Sequence, residues 1–404
     1  MSQNNIKSTE ARKSRAVWVF AGLVVIGLLS FIYGAAGQHP TRAWQAYLIN
    51  FLLWSGIAQG AVVFSAVMHI TKARWSGPLS GLAESFAVFF PLSFILFLLL
   101  FLGQTHIFPW LNEDLHGKEA WLNMPFLFTR DCFGLLILYG LGLVYLYYSL
   151  RLKFDSSQSR GWLRALLRNR WSRREQDPAS LKSKLAFLGG FYILAFALVL
   201  CLIGYDLVMS MDPHWISTLF GAYTFVKAFY VGLGAIIILA AVIYLKHGPD
   251  SGLTTAHFHD IGKLFFAFCL LWADFFYVQL VVIWYGNIPE EAHYVIKRVM
   301  LPPWNSLAWA VFFVCFIIPF FVLLNKKIKT KPVFMIVICS VIIIGIWFEH
   351  LLLLGPALSH NLTDIPLSFS DGLISIGFLG LLGLVVTCFL NTFPEIAAVK
   401  QPDN

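Results

Sequence analysis

The sequence predicts an all-α integral membrane protein with ten transmembrane helices. Of the 404 residues, 58% are hydrophobic and only 12% are charged, which is about half the charged share of an ordinary soluble protein. Ten stretches are apolar over about 20 residues, the length that a helix needs to cross roughly 30 Å of hydrocarbon. The composition therefore excludes a soluble enzyme, a disordered chain and a disulfide-stapled secreted domain.

The ten predicted spans follow one another along almost the whole chain. The first comes after a run of basic residues, but its apolar stretch of about 20 residues is long for a signal peptide, so we predict a membrane anchor. The spans cover approximately residues 17–37, 44–70, 78–103, 125–150, 186–211, 216–246, 262–287, 305–325, 333–354 and 372–391.

The eight middle spans predict an internal repeat. Spans two to five and spans six to nine begin on the same side of the membrane and form two sets of four helices, as in parallel-repeat transporters. We therefore predict a tail with the first helix over 1–40 and a first four-helix bundle over 41–211. A second bundle covers 212–354, and the last helix with a tail covers 355–404.

The basic residues predict the orientation of the chain. The net charge is +8, and most of the 29 Lys and Arg residues fall on the side of the N-terminus. Both termini are therefore predicted to be cytoplasmic, and this loop bias explains the positive charge without a nucleic-acid partner. The opposite side has only Arg42, Lys118, Lys297 and Arg298.

The loop over residues 151–185 is the most basic segment. It contains ten cations, and Arg160, Arg164 and Arg168 recur at every fourth position beside leucines. This spacing predicts a short helix that lies on anionic lipid headgroups. A merely solvated basic loop is an equally good interpretation.

The sequence contains no pattern for a redox centre or a hydrolytic nucleophile. All six cysteines fall in apolar stretches without CxxC or CxxCH spacing, so they are predicted to be small core residues. Only His350 lies well within a span, so the paired histidines that hold a membrane haem are missing. The pair His257 and His259 is half of a metal site at most, and a solvated loop is the favoured interpretation. We predict no metal and no cofactor bound by this chain.

Ionisable residues inside spans are the main functional signal, because burying them in a membrane is costly. Five acids face only two cations there, so some acids are expected to hold protons at neutral pH, which suits proton transfer. The predicted proton-pathway residues are Glu84, Asp131, Asp206, Asp274, Glu349 and His350, and the predicted charge partners are Arg130 and Lys227.

Several of these residues also have structural interpretations. Glu84 lies close enough to a membrane face to reach the interface, and Asp206 lies near enough to the end of its span to cap a loop. For Arg130 and Lys227, an ion pair with Asp131 or Asp206 is slightly favoured over a role in mechanism.

Asp274 is the strongest functional candidate. It lies near the middle of the seventh span, at a depth where only an internal cavity would give it access to water. The sequence therefore predicts a cavity around Asp274.

Two long segments resemble a known family. They are DLVMSMDPHWISTLFGAYTF at 206–225 and HDIGKLFFAFCLLWADFFYVQLVVIWYGNIPEE at 259–291, supported by residues 41–70 and 117–131. These segments resemble the membrane subunits of alternative complex III, the bacterial quinol:cytochrome c (or quinol:oxidase) oxidoreductase. Those subunits belong to the NrfD-like, polysulfide-reductase-type family. The resemblance extends over most of the chain, from about residue 41 to 390.

The resemblance implies a place in a respiratory complex of the bacterial inner membrane. The length of the chain matches the shorter, ActF-type subunit, whose fold is two four-helix bundles with two extra helices. The implied partners are a larger NrfD-like quinol subunit, an iron–sulfur protein and multihaem cytochromes c. The implied role is to support quinol oxidation by these partners and to provide a proton pathway, with quinone as a possible ligand.

Two other functions fit the same residues. An independent ion- or proton-coupled secondary transporter would also use buried acids and parallel repeats. Such proteins often interrupt helices near the midplane; Pro91 and Pro319 are candidates, although they do not occupy corresponding helices of the two halves. A purely structural membrane anchor is the third possibility.

Overall fold

The computed structural model describes residues 3–37, 40–115, 117–153, 164–165, 167, 171, 177–358 and 364–396. The elements of these residues are helical, without a β-strand. Ten of the helices are long and apolar enough to cross a membrane, which confirms the predicted all-α membrane fold. They are α1 (Arg15–Ala35), α2 (Pro40–Ile70), α3 (Gly77–Ile107), α4 (Met124–Lys153), α5 (Pro178–Met211), α6 (Leu219–Ser251), α7 (Thr255–Gly286), α8 (Trp304–Leu324), α9 (Pro332–Leu358) and α10 (Phe369–Thr392).

Two helices begin several residues earlier than predicted, because polar residues cap them. The Asp177 side chain accepts a hydrogen bond from the backbone N–H of Ala179 at the start of α5 (3.2 Å). Thr254 caps α7, and its backbone N–H donates to Nδ1 of His257 (3.0 Å). His257 and His259 therefore lie in the first turns of α7, which corrects the prediction of a loop.

Two spans are interrupted just before a proline. In α3, the 3-10 turn Ser85–Phe89 precedes Pro91. In α8, the π-helical turn Phe313–Ile317 precedes Pro319. Proline lacks an N–H donor and its ring crowds the preceding turn, so the regular α-helical hydrogen bonds change there.

The helices pack in two groups of four with a flanking pair. Helices α2, α3, α4 and α5 form one group, α6, α7, α8 and α9 form the other, and α1 packs against α10. Helix α2 lies at the centre, where it contacts α5 of its own group, α6 and α9 of the other group, and α10. Side chains between α2 and α6 consequently face both groups.

The basic loop is described only in part. Arg160 and Arg168 lie outside the described residues, whereas Arg164 is buried. The guanidinium of Arg164 binds Glu395 (Nη2–Oε1, 2.9 Å) and donates to the carbonyl oxygen of Thr392 (2.8 Å). Arg164 therefore attaches the loop to the end of α10, where we had predicted contact with headgroups or solvent.

Candidate functional site

Seven of the eight predicted site residues lie in three clusters. The Asp131 cluster contains Trp121, Arg130, Asp131 and Asp206. The Glu349 cluster contains Tyr223, Lys227, Trp272, Glu349 and His350. The Glu84 cluster contains Ser65, His69, Glu84, Tyr145, Ser149 and Lys153.

A two-point ion pair is the centre of the Asp131 cluster. Arg130 of α4 binds Asp206 of α5 through Nε–Oδ2 at 2.6 Å and Nη2–Oδ1 at 2.7 Å. The indole N–H of Trp121 donates to the same carboxylate (3.2 Å), and the Arg130 guanidinium stacks 4.0 Å from the Trp121 ring. Asp206 therefore binds Arg130 of α4, which is one of the two pairings that we predicted. It also accepts a hydrogen bond from Trp121 in the loop before α4, as the loop-capping interpretation expects.

Asp131 is fully buried and has no such partner. Neither of its carboxyl oxygens accepts a hydrogen bond from a donor among the described residues, so a hydrogen bond to the adjacent Asp206 requires a proton on one of the two acids. It lies close enough to Asp206 for the two carboxyl groups to interact electrostatically, and Arg130 is also in range. The site therefore contains two acids and one cation, and the cation binds only one of the acids.

The Glu349 cluster joins three helices of the second bundle. Lys227 of α6 binds Glu349 of α9 (Nζ–Oε1, 3.0 Å), and Tyr223 donates its hydroxyl proton to the same oxygen. Trp272 of α7 donates to the other oxygen (3.2 Å). We had predicted that Lys227 would pair with Asp131 or Asp206; it pairs with Glu349, because α6 packs directly against α9.

His350 is buried next to this ion pair but points elsewhere. Its Nδ1–H donates to the carbonyl oxygen of Ile346, one turn earlier on α9 (2.8 Å). This bond leaves Nε2 for other partners. The ring lines a cavity together with Lys227.

The cavity lies beside the Glu349 cluster, where Lys227 and His350 line it. Its volume is about 30 Å³, which is enough for about two water molecules, because each needs about 10–15 Å³. Helix α2 contributes Ser55 and Gln59, and the second bundle contributes Thr224, Lys227 and His350. The cavity is far too small for a quinone ring, since ligand pockets have volumes of roughly 300–1,000 Å³.

Gln59 connects this cavity to the interior of the first bundle. Its amide nitrogen donates to the hydroxyl of Tyr139 (2.8 Å), which is hydrogen-bonded to Ser93 (2.8 Å). Its carbonyl oxygen Oε1 is buried and has no hydrogen-bond partner in the described part of the chain. Gln59 therefore brings an unsatisfied acceptor to the wall of the cavity.

The Glu84 cluster lies at the other end of the first bundle. Glu84 is fully buried and binds Lys153 (Oε2–Nζ, 2.6 Å), Ser149 (2.5 Å) and Ser65 (2.8 Å). The alternative that Glu84 reaches the interface is wrong, because the lysine from the end of α4 comes to the acid. Lys153 was predicted to lie in a loop, so it was not counted among the cations that compensate the buried acids.

Asp274 lies outside all three clusters. Its side chain is exposed on the outer surface of α7 and has no hydrogen bond or ion pair with another described residue. The predicted internal cavity around Asp274 is therefore wrong. The sequence predicts the depth of Asp274 along its span, but the direction of its side chain depends on how α7 packs.

A further buried cation was not predicted. Arg298, assigned to a loop, is buried, donates to the carbonyl oxygen of Leu353 (2.8 Å) and lies 3.5 Å from Asp212 (Nη1–Oδ2). The guanidinium of Arg298 stacks 3.5 Å from the centre of the Tyr294 ring. Trp215 also stacks on Tyr294, with the two ring centres 3.6 Å apart. Burial raises the pKa of Tyr294 to about 12. The signal for this site was the DPHW string, which contains both Asp212 and Trp215.

The described residues contain no group of three or more His, Cys, Asp or Glu side chains arranged to hold a metal ion. Compared with protein-family models and with the curated proteins, the chain has no match. Its resemblance to alternative complex III subunits therefore stays a prediction from the quoted segments.

Proposed function

We propose that this chain is the ActF-type membrane subunit of a bacterial quinol:cytochrome c (or quinol:oxidase) oxidoreductase. In this role partner subunits hold the haems and iron–sulfur clusters and oxidise quinol, while this chain supports them and conducts protons. The resemblance of residues 206–225 and 259–291 supports the family.

The unpartnered Asp131 is the observation that carries the proton pathway. A fully buried carboxylate without a hydrogen bond is very costly, so the neutral acid is the form that this site tolerates. A neutral Asp131 has an O–H donor, and the Arg130-bound Asp206 lies within hydrogen-bonding range of it. Protonation of Asp131 is therefore linked to the Arg130–Asp206 ion pair, because the two carboxyl groups interact.

The polar groups around the cavity are the second part of the proposed path. Water in the cavity would face Lys227 and His350 on one side and Gln59 on the other. From Gln59, hydrogen bonds continue through Tyr139 to Ser93 inside the first bundle. In the predicted orientation, the Asp131 cluster lies in the outer half of the membrane and the Glu84 cluster lies towards the cytoplasm.

The test is the Asp131→Asn variant of the assembled complex. We expect normal assembly together with lower quinol oxidation or fewer protons moved per electron, because the amide has no exchangeable acid proton. Glu113→Gln, which removes an exposed acid, is the matched control and is expected to leave both quantities unchanged. Unchanged turnover and proton yield in Asp131→Asn would reject the pathway.

Purification in mild detergent tests the complex itself. Co-elution with multihaem c-type cytochromes and an iron–sulfur protein is expected, and elution of the chain alone would reject the assignment. A secondary transporter is the second candidate, favoured by the interruptions of α3 and α8 before Pro91 and Pro319. It predicts solute uptake by liposomes that contain only this chain. A structural anchor predicts that Asp131→Asn changes assembly or nothing.

A further inference from the structure

One face of α7 points away from the rest of the chain. Only 22% of the residues in the most apolar stretch of this helix are buried within the protein. The exposed face includes Leu270, Leu271 and Tyr277, and Asp274 lies among them. An ionisable residue in the middle of an apolar, outward-facing surface is unusual, because such residues normally pair with another polar or charged group.

The residues at the two ends of this face place Asp274 at the middle of the membrane. Lys263, whose side chain is 56% exposed, lies about 17 Å from Asp274 along the helix axis, at ~1.5 Å per residue. On the other side, Trp284 is 73% exposed and lies about 15 Å away. Lysine and tryptophan are typical of membrane interfaces, and their separation of roughly 32 Å matches the thickness of the hydrocarbon core.

Asp274 has no means of satisfying its carboxyl group within the chain. The described residues offer it no hydrogen bond and no ion pair. Its side chain is too short to reach either interface from the midplane, unlike a lysine or arginine. Lipid tails offer neither donors nor charge, so a lipid-covered Asp274 would be unsatisfied.

We propose that this face of α7 binds a transmembrane helix of another polypeptide, which presents a Lys, Arg or His side chain to Asp274. The charge of Asp274 determines the chemistry of the partner, and the flanking Leu270, Leu271 and Tyr277 supply its apolar contact surface. The inference does not depend on the proposed role in quinol oxidation, because it is drawn only from Asp274 and the exposed face of α7.

A second copy of the chain does not meet this requirement. In a symmetric dimer through α7, the two Asp274 side chains would lie at the same depth, and neither copy would supply the cation that the other lacks. The two mid-span cations of the described residues are also occupied, because Arg130 binds Asp206 and Lys227 binds Glu349. The required cation therefore comes from a different polypeptide.

Photocrosslinking in native membranes tests the inference. Benzoylphenylalanine replaces Tyr277, one turn from Asp274, and the crosslinked peptide is identified by mass spectrometry. We expect a hydrophobic segment of about 20 residues with a central Lys, Arg or His. Asp274→Leu is expected to lower the yield of this product about tenfold or more, because the ion pair is lost.

The same probe at Phe133 of α4, which is 66% exposed, is the matched control, and its products are expected to be insensitive to Asp274→Leu. Asp274→Lys combined with an acidic residue at the partner position is expected to restore the Tyr277 product. Crosslinks only to lipid, to a second copy of this chain or to a segment without a basic residue would overturn the inference. A product that survives Asp274→Leu would overturn it too. If the captured helix has the predicted cation but no cytochrome or iron–sulfur protein co-purifies, only the proposed function fails.

Discussion

Arg130 binds both carboxylate oxygens of Asp206 and leaves Asp131, its neighbour in the chain, without a hydrogen-bond donor. Consecutive residues of an α-helix point about 100° apart, so Arg130 and Asp131 face different neighbours. Asp206 therefore depends on Arg130 for its charge compensation, while Asp131 has no ion pair of its own. Replacing Asp206 by a neutral residue should therefore destabilise the protein, whereas replacing Asp131 by a neutral residue should not.

Removing the cation of this pair should destabilise the protein strongly. In Arg130→Ala, the buried Asp206 loses its bidentate partner, and we expect a loss of about 3–5 kcal/mol in the free energy of unfolding in mixed micelles. Arg130→Lys keeps the charge but not both hydrogen bonds, and its loss should be smaller. Lys182→Ala, at an exposed position of α5, is the control. Equal stabilities of Arg130→Ala and Lys182→Ala would show that the pair contributes nothing.

Asp131 should give an infrared signal of a protonated carboxyl group at neutral pH. The reason is its complete burial without a cation or donor of its own. The C=O stretching band of a neutral acid should be present in the native protein, shift in D₂O and vanish in Asp131→Asn. In a separate measurement of stability, Asp206→Asn should be markedly less stable than Asp131→Asn, because only Asp206→Asn breaks the ion pair with Arg130. A spectrum in which Asp131→Asn removes only carboxylate bands would contradict this prediction.

Lys227 and Glu349 should depend on each other more than an exposed pair does. Lys227→Met and Glu349→Gln each leave one buried partner uncompensated, with an expected cost of about 3–5 kcal/mol. The double variant should cost less than the sum of the two. The exposed pair Lys263–Asp260 is the control, with an expected coupling of about 0–1 kcal/mol. Additive effects of Lys227→Met and Glu349→Gln in the cycle would rule out the proposed dependence.

The fold was predictable because the membrane imposes a simple rule on the sequence. A span must be apolar for about 20 residues, and ten such stretches became ten helices. The helix starts at Pro178 and Thr255 were missed because polar capping residues extend the helices beyond the apolar stretch. The interruptions of α3 and α8 follow from Pro91 and Pro319, which the sequence displays directly.

The pairing of the charges was less predictable, because it depends on distances between helices. The predicted excess of acids is smaller in the structure, since Lys153 reaches Glu84 from the end of α4. Asp206 and Glu349 also have cations, which leaves Asp131 as the buried acid without an ion pair among the predicted candidates. Asp274 is unpaired but exposed, because the rotation of α7 turns it outwards. Hydropathy alone contains no information on that rotation.

Tyr294 should make stability depend on pH at the alkaline end. Its pKa is raised by burial to about 12 in the folded protein, against about 10 in an unfolded chain. The folded state therefore keeps the phenol proton between pH 10 and 12, where the unfolded state releases it. The associated stability is complete below about pH 10 and is lost as the pH rises towards 12, by roughly 2–3 kcal/mol.

Tyr294→Phe tests this pH dependence, because phenylalanine keeps the ring between Trp215 and Arg298 but cannot ionise. The free energy of unfolding of the variant should decline less steeply over this pH range than that of the native protein. Tyr285→Phe, at a position that is 78% exposed, should follow the native curve. Identical slopes for the native protein and Tyr294→Phe would contradict the prediction.

The contact between the two bundles should not tolerate a methyl group at Gly60. A Cβ atom there would overlap the backbone carbonyl of Ala228 on α6, and backbone atoms of a packed helix cannot move aside cheaply. We expect Gly60→Ala to lower the free energy of unfolding in mixed micelles by about 1–3 kcal/mol. This loss should occur even though alanine has a higher helix propensity than glycine. Gly190→Ala on α5 is the control, because its Cβ would meet no atom within 4 Å, and it should be neutral or stabilising. A Gly60→Ala protein as stable as Gly190→Ala would mean that α2 and α6 are further apart than described.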